Sequence, residues 1–151
     1  MAGPTVTLLG SQSQQQVELL LSRCRAYVYA GVEDFGIAPV EAMAAGAPVI
    51  GLGRGGLLDT VRCAASGVDD ATGVLFPDQT VTSLVEAVRW FEQRRLWCEL
   101  DPAVLRQWAE RFRPQAFAER FQTTLRRAWS EHQKLCAVAA SDPGKMPELR
   151  L

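Results

Sequence analysis

Two glutamates eight positions apart, Glu33 and Glu41, are the residues of this chain whose type and spacing best suit chemistry. They lie in the stretch 31–56, GVEDFGIAPVEAMAAGAPVIGLGRGG. Between them run Phe35, Gly36, Ile37 and Ala38, just ahead of a segment with helical character. The first N–H groups of a helix have no intrahelical acceptor, and with the helix dipole they attract an anion such as phosphate. Gly36 lets that backbone approach a ligand closely. Carboxylates on either side would accept hydrogen bonds from neutral hydroxyls. A sugar nucleotide presents that order: sugar hydroxyls, diphosphate, ribose hydroxyls.

Such a constellation needs a scaffold, and the apolar pattern supplies one. Residues 6–9 form a short apolar run ending at Gly10, which reads as a buried strand. A helix is expected over 11–23 and a second strand over 26–30, rich in aromatic and β-branched side chains. A loop over 31–37 leads to a helix over 39–45. Gly46-Ala47-Pro48 ends it and a third strand follows at 49–52, then a glycine-rich turn at 53–56, a helix over 57–64 and a fourth strand over 74–76. Nearly continuous apolar strands alternating with helices indicate an α/β domain with a buried parallel sheet. The loop bearing Glu33 then leaves the C-terminal edge of a strand, where ligands bind in open α/β sheets. From Thr80 the chain turns helical, with Val81, Leu84, Val85, Val88 and Phe91 at helical spacing. Asp101-Pro102 starts a helix running to about Phe112. Pro114 starts another, carrying Phe117, Phe121, Leu125 and Trp129 at steps of four. After Lys134 the pattern dissolves into an expected mobile tail.

At Glu33-x7-Glu41, written EDFGIAPVE and followed by AMAAGAPVIG and GRGG, the sequence resembles the family 4 (group 1) retaining glycosyltransferases. The similarity continues through TGVLF at 72–76 and Gln79-Thr80-Val81, and more weakly to about Trp129. It implies part of a GT-B fold: a partial Rossmann-like parallel sheet with flanking helices and a helical C-terminal arm as the C-terminal, donor-binding domain over 1–133, then the mobile tail 134–151. The wording EDFGI-x-PVEAMAAG-x-PVI is similar to the mannosyltransferase branch. That branch implies GDP-mannose as donor, a saccharide or lipid-linked acceptor, and a place in polysaccharide biosynthesis. Carried over residue by residue, Glu33 would contact hydroxyls of the transferred sugar as the catalytic carboxylate. Glu41 would hold the ribose diol. Backbone amides of Phe35, Gly36, Ile37 and Ala38 would bind the diphosphate and sugar oxygens. The resemblance implies no cofactor beyond the donor and no metal, the leaving diphosphate being stabilised by preorganised positive groups. The Arg and Lys that serve the diphosphate in the family, and its acceptor domain, have no counterpart here. The expectation is an enzyme incomplete alone, needing an N-terminal domain or a second chain, with the donor base read by strands outside this stretch.

Several classes are excluded or weakened by composition. A net charge of −1 gives no footprint for nucleic acid. Cys24, Cys63, Cys98 and Cys136 form no Cys-x-x-Cys pair, and His132 is the only histidine, which argues against zinc. Dispersed cysteines fit a reducing compartment, and no apolar run is long enough to span a bilayer. The expected location is cytoplasmic, at most peripheral to the inner face of the membrane.

Plainer readings stand beside the functional ones. With Ala38 as cap and Pro39 as first residue, Glu41 would be the third helical position, where the dipole alone favours an acid. Glu33 by itself would be a solvated loop charge. Residues 53–56 could wrap a ligand or form an ordinary turn, and Arg54 could approach phosphate or point to solvent. The Phe117–Trp129 stripe, with arginines nearby, suits a core or interdomain face better than a membrane. The rival functions are a non-catalytic remnant, an interaction domain in which the glutamates are inherited but unused, and a GT-B epimerase.

Overall fold

A computed structural model describes residues 3–141 of the chain. The first helix, α1 (Gln14–Arg23), starts where Ser13 and Gln16 cap each other reciprocally: the Ser13 hydroxyl accepts from the Gln16 N–H at 3.3 Å and Gln16 Oε1 accepts from the Ser13 N–H at 3.0 Å. There follow β1 (Tyr27–Tyr29), α2 (Ile37–Ala45), β2 (Val49–Leu52), α3 (Leu57–Thr60), β3 (Gly73–Phe76), α4 (Val81–Gln93), α5 (Leu96–Glu99) and α6 (Pro102–Ala109).

The three strands form one parallel sheet in the order β1-β2-β3, with Tyr27 opposite Val49 and Val49 opposite Gly73. β2 is buried along its whole length, and its side chains divide by the two-residue period of a strand. Val49 joins Ala42, Met43, Leu57 and Leu105 on one face, so α2, α3 and α6 cover that side. Ile50 and Leu52 join Val74, Phe76, Phe91 and Leu96 on the other, under α4 and α5. Gly51 points at Leu57, whose Cδ2 fills the place a Cβ would need.

Two expected elements differ. Residues 6–9 are not a strand: Leu8 is 83% exposed, and among the described residues no strand pairs with them. An apolar run becomes a strand only where a neighbour takes its hydrogen bonds, so the sheet has three strands rather than four. The helix expected over 57–64 ends at Thr60. Val61 turns extended, the Thr72 N–H donates to Arg62 O at 2.9 Å, and Cys63 bridges Gly73 in parallel, so the chain is drawn onto the start of β3 before a single 3-10 turn at Ala64–Ser66.

The Asp101-Pro102 start is where it was expected. The Ala103 N–H donates to Asp101 Oδ1 at 2.8 Å and Pro102 is the first helical residue. The first compact unit runs through Glu110 and a second begins at Arg111. Its described part holds α7 (Pro114–Ser141), helical past Lys134 where the apolar pattern fades, because leucine and alanine, frequent there, are strong helix formers. Residues 142–151 of the expected tail lie outside the described residues. Phe117, Phe121, Leu125 and Trp129 are exposed on α7. No described helix is long and apolar enough to cross a membrane.

Candidate functional site

The loop from β1 to α2 turns sharply at Gly36, which is buried with φ 83°, in the left-handed region that favours glycine. A Cβ there would sit 3.0 Å from Leu57 Cδ1. Gly36 is the helix cap and offers no side-chain acceptor, and Pro39, third in the helix, has no N–H. The donors directed out of the helix start are therefore the N–H groups of Ile37 and Ala38, beside that of Gly36. They face a hollow of about 350 Å3 lined by Tyr29, Glu33, Phe35 and Ala38 among others. Phe35 and Ile37 are 44% and 67% exposed, so the rim is apolar.

Glu33 lies at the mouth of this hollow, held at two points. Its Oε1 accepts a hydrogen bond from the Tyr29 hydroxyl at 2.6 Å. Its backbone oxygen accepts from the Gly56 N–H at 2.7 Å. The hydrogen bond to Glu33 pushes the Tyr29 phenol up to about 12, with burial and the charges of Glu33 and Tyr27 adding to it. Tyr29 was not singled out from the sequence. Its only signal was its place at the end of a strand, four residues before Glu33.

The turn at 53–56 is a brace for that loop. A Cβ on Gly55, whose φ is 60°, would strike the Glu33 carbonyl oxygen, and one on Gly56 would strike the backbone of Asp34 and Phe35. Both glycines let two loops lie against each other, main chain on main chain. The Thr60 hydroxyl, fully buried, donates to Gly56 O at 2.9 Å and fixes the turn from below. Arg54 leaves the brace with its guanidinium 3.9 Å from Asp78, both side chains more than half exposed. The third loop joins through Gln79, whose Nε2 donates to Ala30 O at 3.0 Å.

Glu41 sits differently from the expectation. With Gly36 as cap and Ile37 as first residue, Glu41 is the fifth helical position, beyond the first turn. The dipole account of its charge rested on the helix starting at Pro39 and falls with it, since the dipole's influence fades after the first turn. Glu33 and Glu41 line separate hollows. Glu41 borders the one between α1 and α2, where its charge adds to burial in raising the Tyr27 phenol above its ordinary value. Among the described residues no group of three or more His, Cys, Asp or Glu comes together to hold a metal.

Comparison with known proteins agrees with this architecture. The family described as Glycosyl transferases group 1 matches residues 1–121. The chain is 40% identical over 75 residues to the alpha-1,3/1,6-mannosyltransferase ALG2 of Saccharomyces cerevisiae, covering 48% of this chain and 15% of that protein. It is 33% identical over 95 residues to sucrose synthase of Acidithiobacillus caldus, covering 62% of this chain and 12% of that one. The solved structure of sucrose-phosphate synthase from Thermosynechococcus elongatus aligns with a TM-score of 0.67 at 27% identity, over 85% of this chain and 31% of that one. The matched stretches thus span 15% or less of the length of these curated relatives. With a family match over most of its length and a parallel sheet flanked by helices, the chain belongs to the group 1 glycosyltransferases, on an α/β scaffold of GT-B type.

Proposed function

We propose that this chain forms the donor-binding part of a retaining sugar transferase that uses a sugar nucleotide, with GDP-mannose as the donor. The observation that carries the reading is the hollow at the start of α2, where open backbone N–H groups lie beside a carboxylate fixed by Tyr29 and Gly56. The diphosphate binds over Ile37 and Ala38. Glu33 accepts hydrogen bonds from hydroxyls of the sugar to be transferred, and Tyr29 keeps its carboxylate turned toward them. Glu41, further along α2, takes the ribose diol. Identity to mannosyltransferases over about half of the chain supports mannose, and a saccharide or lipid-linked saccharide is the acceptor. The free thiols Cys24, Cys63, Cys98 and Cys136 suit a reducing compartment, and we place the protein in the cytoplasm, at the periphery of a membrane carrying the acceptor.

A narrower reading, binding without turnover, is favoured by one observation. Among the described residues none that lines the hollow is cationic, and Arg54 lies near Asp78. A departing diphosphate beside Glu33 and Asp34 requires positive charge to stabilise it. That charge comes from another domain or chain in a competent enzyme.

Saturation-transfer NMR with GDP-mannose tests the donor site directly. Transfer to ribose and mannose protons is expected for the native chain and is lost in a folded Glu41→Ala variant. No transfer from the folded native chain would overturn the reading of a working donor site.

A further inference from the structure

Helix α7 carries an apolar face that the described residues leave open. Phe117, Phe121, Leu125 and Trp129 are 66%, 55%, 55% and 60% exposed, and Leu135 is 45% exposed. The Phe117 and Phe121 rings stack at 5.8 Å, and the Trp129 ring lies 5.9 Å from that of His132, so the aromatic side chains are already ordered along the helix. At about 100° per residue, steps of four drift by only about 40°, which gathers these side chains into one arc about 120° wide. Each leaves on the order of 100 Å2 uncovered, about 500 Å2 together, near the upper end of what a monomer exposes in one patch.

The borders of the arc favour one occupant. Helical geometry sets the exposed Gln115, Gln122 and Gln133 along one edge, and the exposed Arg120 and Glu131 along the other. Arg120 stands five positions before Leu125 and Glu131 six after it. In an antiparallel helix pair each edge meets the same edge of its neighbour. Two copies packed antiparallel through Leu125 therefore bring Arg120 of each beside Glu131 of the other, and Phe121 of each against Trp129 of the other. The contact is self-complementary, as a twofold interface requires. A parallel pair would set Arg120 against Arg120. Arg120 donates to Arg111 O at 2.7 Å and Arg127 stands 3.6 Å from Glu131, contacts that leave both charges exposed at the edge. From 117 to 135 the helix is about 28 Å long, and two such arcs with their polar edges bury about 1,200 Å2 in total, the lower bound for a stable specific pair.

We propose that α7 is a self-association surface: two copies of the chain pair antiparallel along 117–135, centred on Leu125, with Arg120 of each copy against Glu131 of the other. This does not rest on the donor-site reading.

Sedimentation equilibrium of the purified full chain tests it. The parent should approach twice the mass of one chain, with a Kd in the range of about 1–10 µM for an interface of this size. Leu125→Arg should sediment as a single chain. Arg120→Glu and Glu131→Arg should each weaken pairing about tenfold, and the double variant, which restores opposite charges across the pair, should return to within about threefold of the parent. All three positions are exposed and arginine and glutamate are good helix formers, so the variants keep α7, as circular dichroism will verify. A parent that stays monomeric to about 100 µM overturns the proposal, whether it remains free in solution or pellets with phosphatidylserine vesicles. Pairing that Leu125→Arg leaves unchanged overturns it too, as does a double variant no stronger than the single ones.

Discussion

Replacing Gly56 by alanine should cost about 2 kcal/mol and loosen Glu33, although Gly56 touches no expected ligand. Its φ of −62° is one that alanine adopts freely, so backbone strain is not the cause. The added Cβ would lie 2.5 Å from Asp34 O and 2.6 Å from Phe35 N, far inside ordinary contact. Neither neighbour is a flexible side chain, so the two loops must part. Overpacking of this kind costs about 1–3 kcal/mol. Parting the loops also stretches the 2.7 Å bond from the Gly56 N–H to Glu33 O, worth about 1 kcal/mol net. The lower entropy of an unfolded alanine offsets about 0.4–1 kcal/mol. Urea unfolding followed by tryptophan fluorescence reads the result, since Trp90, Trp97 and Trp108 lie in the first compact unit and the Trp108 indole N–H donates to Thr60 O at 2.7 Å. A Trp129→Phe background removes the signal from α7. With a slope near 2 kcal/mol/M the midpoint should fall by about 1 M. Gly67→Ala is the control. Gly67 has φ 71° with nothing within 4 Å of a Cβ, so it should lose only about 1 kcal/mol of left-handed strain. A Gly56→Ala midpoint equal to that of the parent, or a larger loss at Gly67, would refute the account of the turn as a brace.

The remaining predictions concern charge and packing. Only two tyrosines are present, so phenolate absorbance resolves both. The Tyr29 phenol should titrate near 12, and Glu33→Gln should bring it back toward the ordinary value of about 10. Because folding holds that proton, the stabilisation is full below about pH 10 and is lost as the pH rises through 12; a native chain whose alkaline unfolding matches that of Glu33→Gln would contradict this. Arg54→Ala should change the urea midpoint by under about 0.5 kcal/mol equivalent, since its pairing with Asp78 is long and exposed. If Arg54 serves the diphosphate, the same variant should weaken GDP binding several-fold in calorimetry.

Where local chemistry decides, the sequence was readable. Asp101-Pro102 carries its own cap and its own fixed φ, and the helix begins there. The fully apolar β2 could only be a buried central strand. Residues 6–9 looked as apolar as β2 but lack a partner, and pairing is not a local property. Placing the start of α2 at Pro39 took one choice among the positions of the first turn that proline tolerates, whereas Gly36 starts the helix. That two-residue difference changed what Glu41 could be. The GRGG turn gave ligand wrapping and simple turning equal standing, because the backbone it meets, at Glu33 to Phe35, is some twenty residues away in the chain. Tyr29 escaped notice for a similar reason, its role being visible only once the loop folds back over the end of β1.

The position of Glu33 follows from how three parallel strands end. Parallel strands deliver their outgoing loops to one edge of the sheet, and here those loops hold one another. The loop after β1 accepts from Gly56 in the loop after β2, and Gln79, after β3, donates to Ala30. Glu33 is exposed as a side chain yet fixed as backbone, the combination a binding carboxylate needs. Rigidity at the main chain limits what ordering it for a ligand costs, while exposure leaves an oxygen for a hydroxyl. The same arrangement leaves an electrostatic deficit. Glu33 and Asp34 stand beside the N–H groups that would receive a diphosphate, and among the described residues no cation lines that hollow. Backbone dipoles suit an anion in the ground state, but the charge that develops on a leaving diphosphate calls for full positive charges placed in advance. On the proposed reading, such a scaffold selects and orients a donor, while turnover calls for positive charge placed over the start of α2.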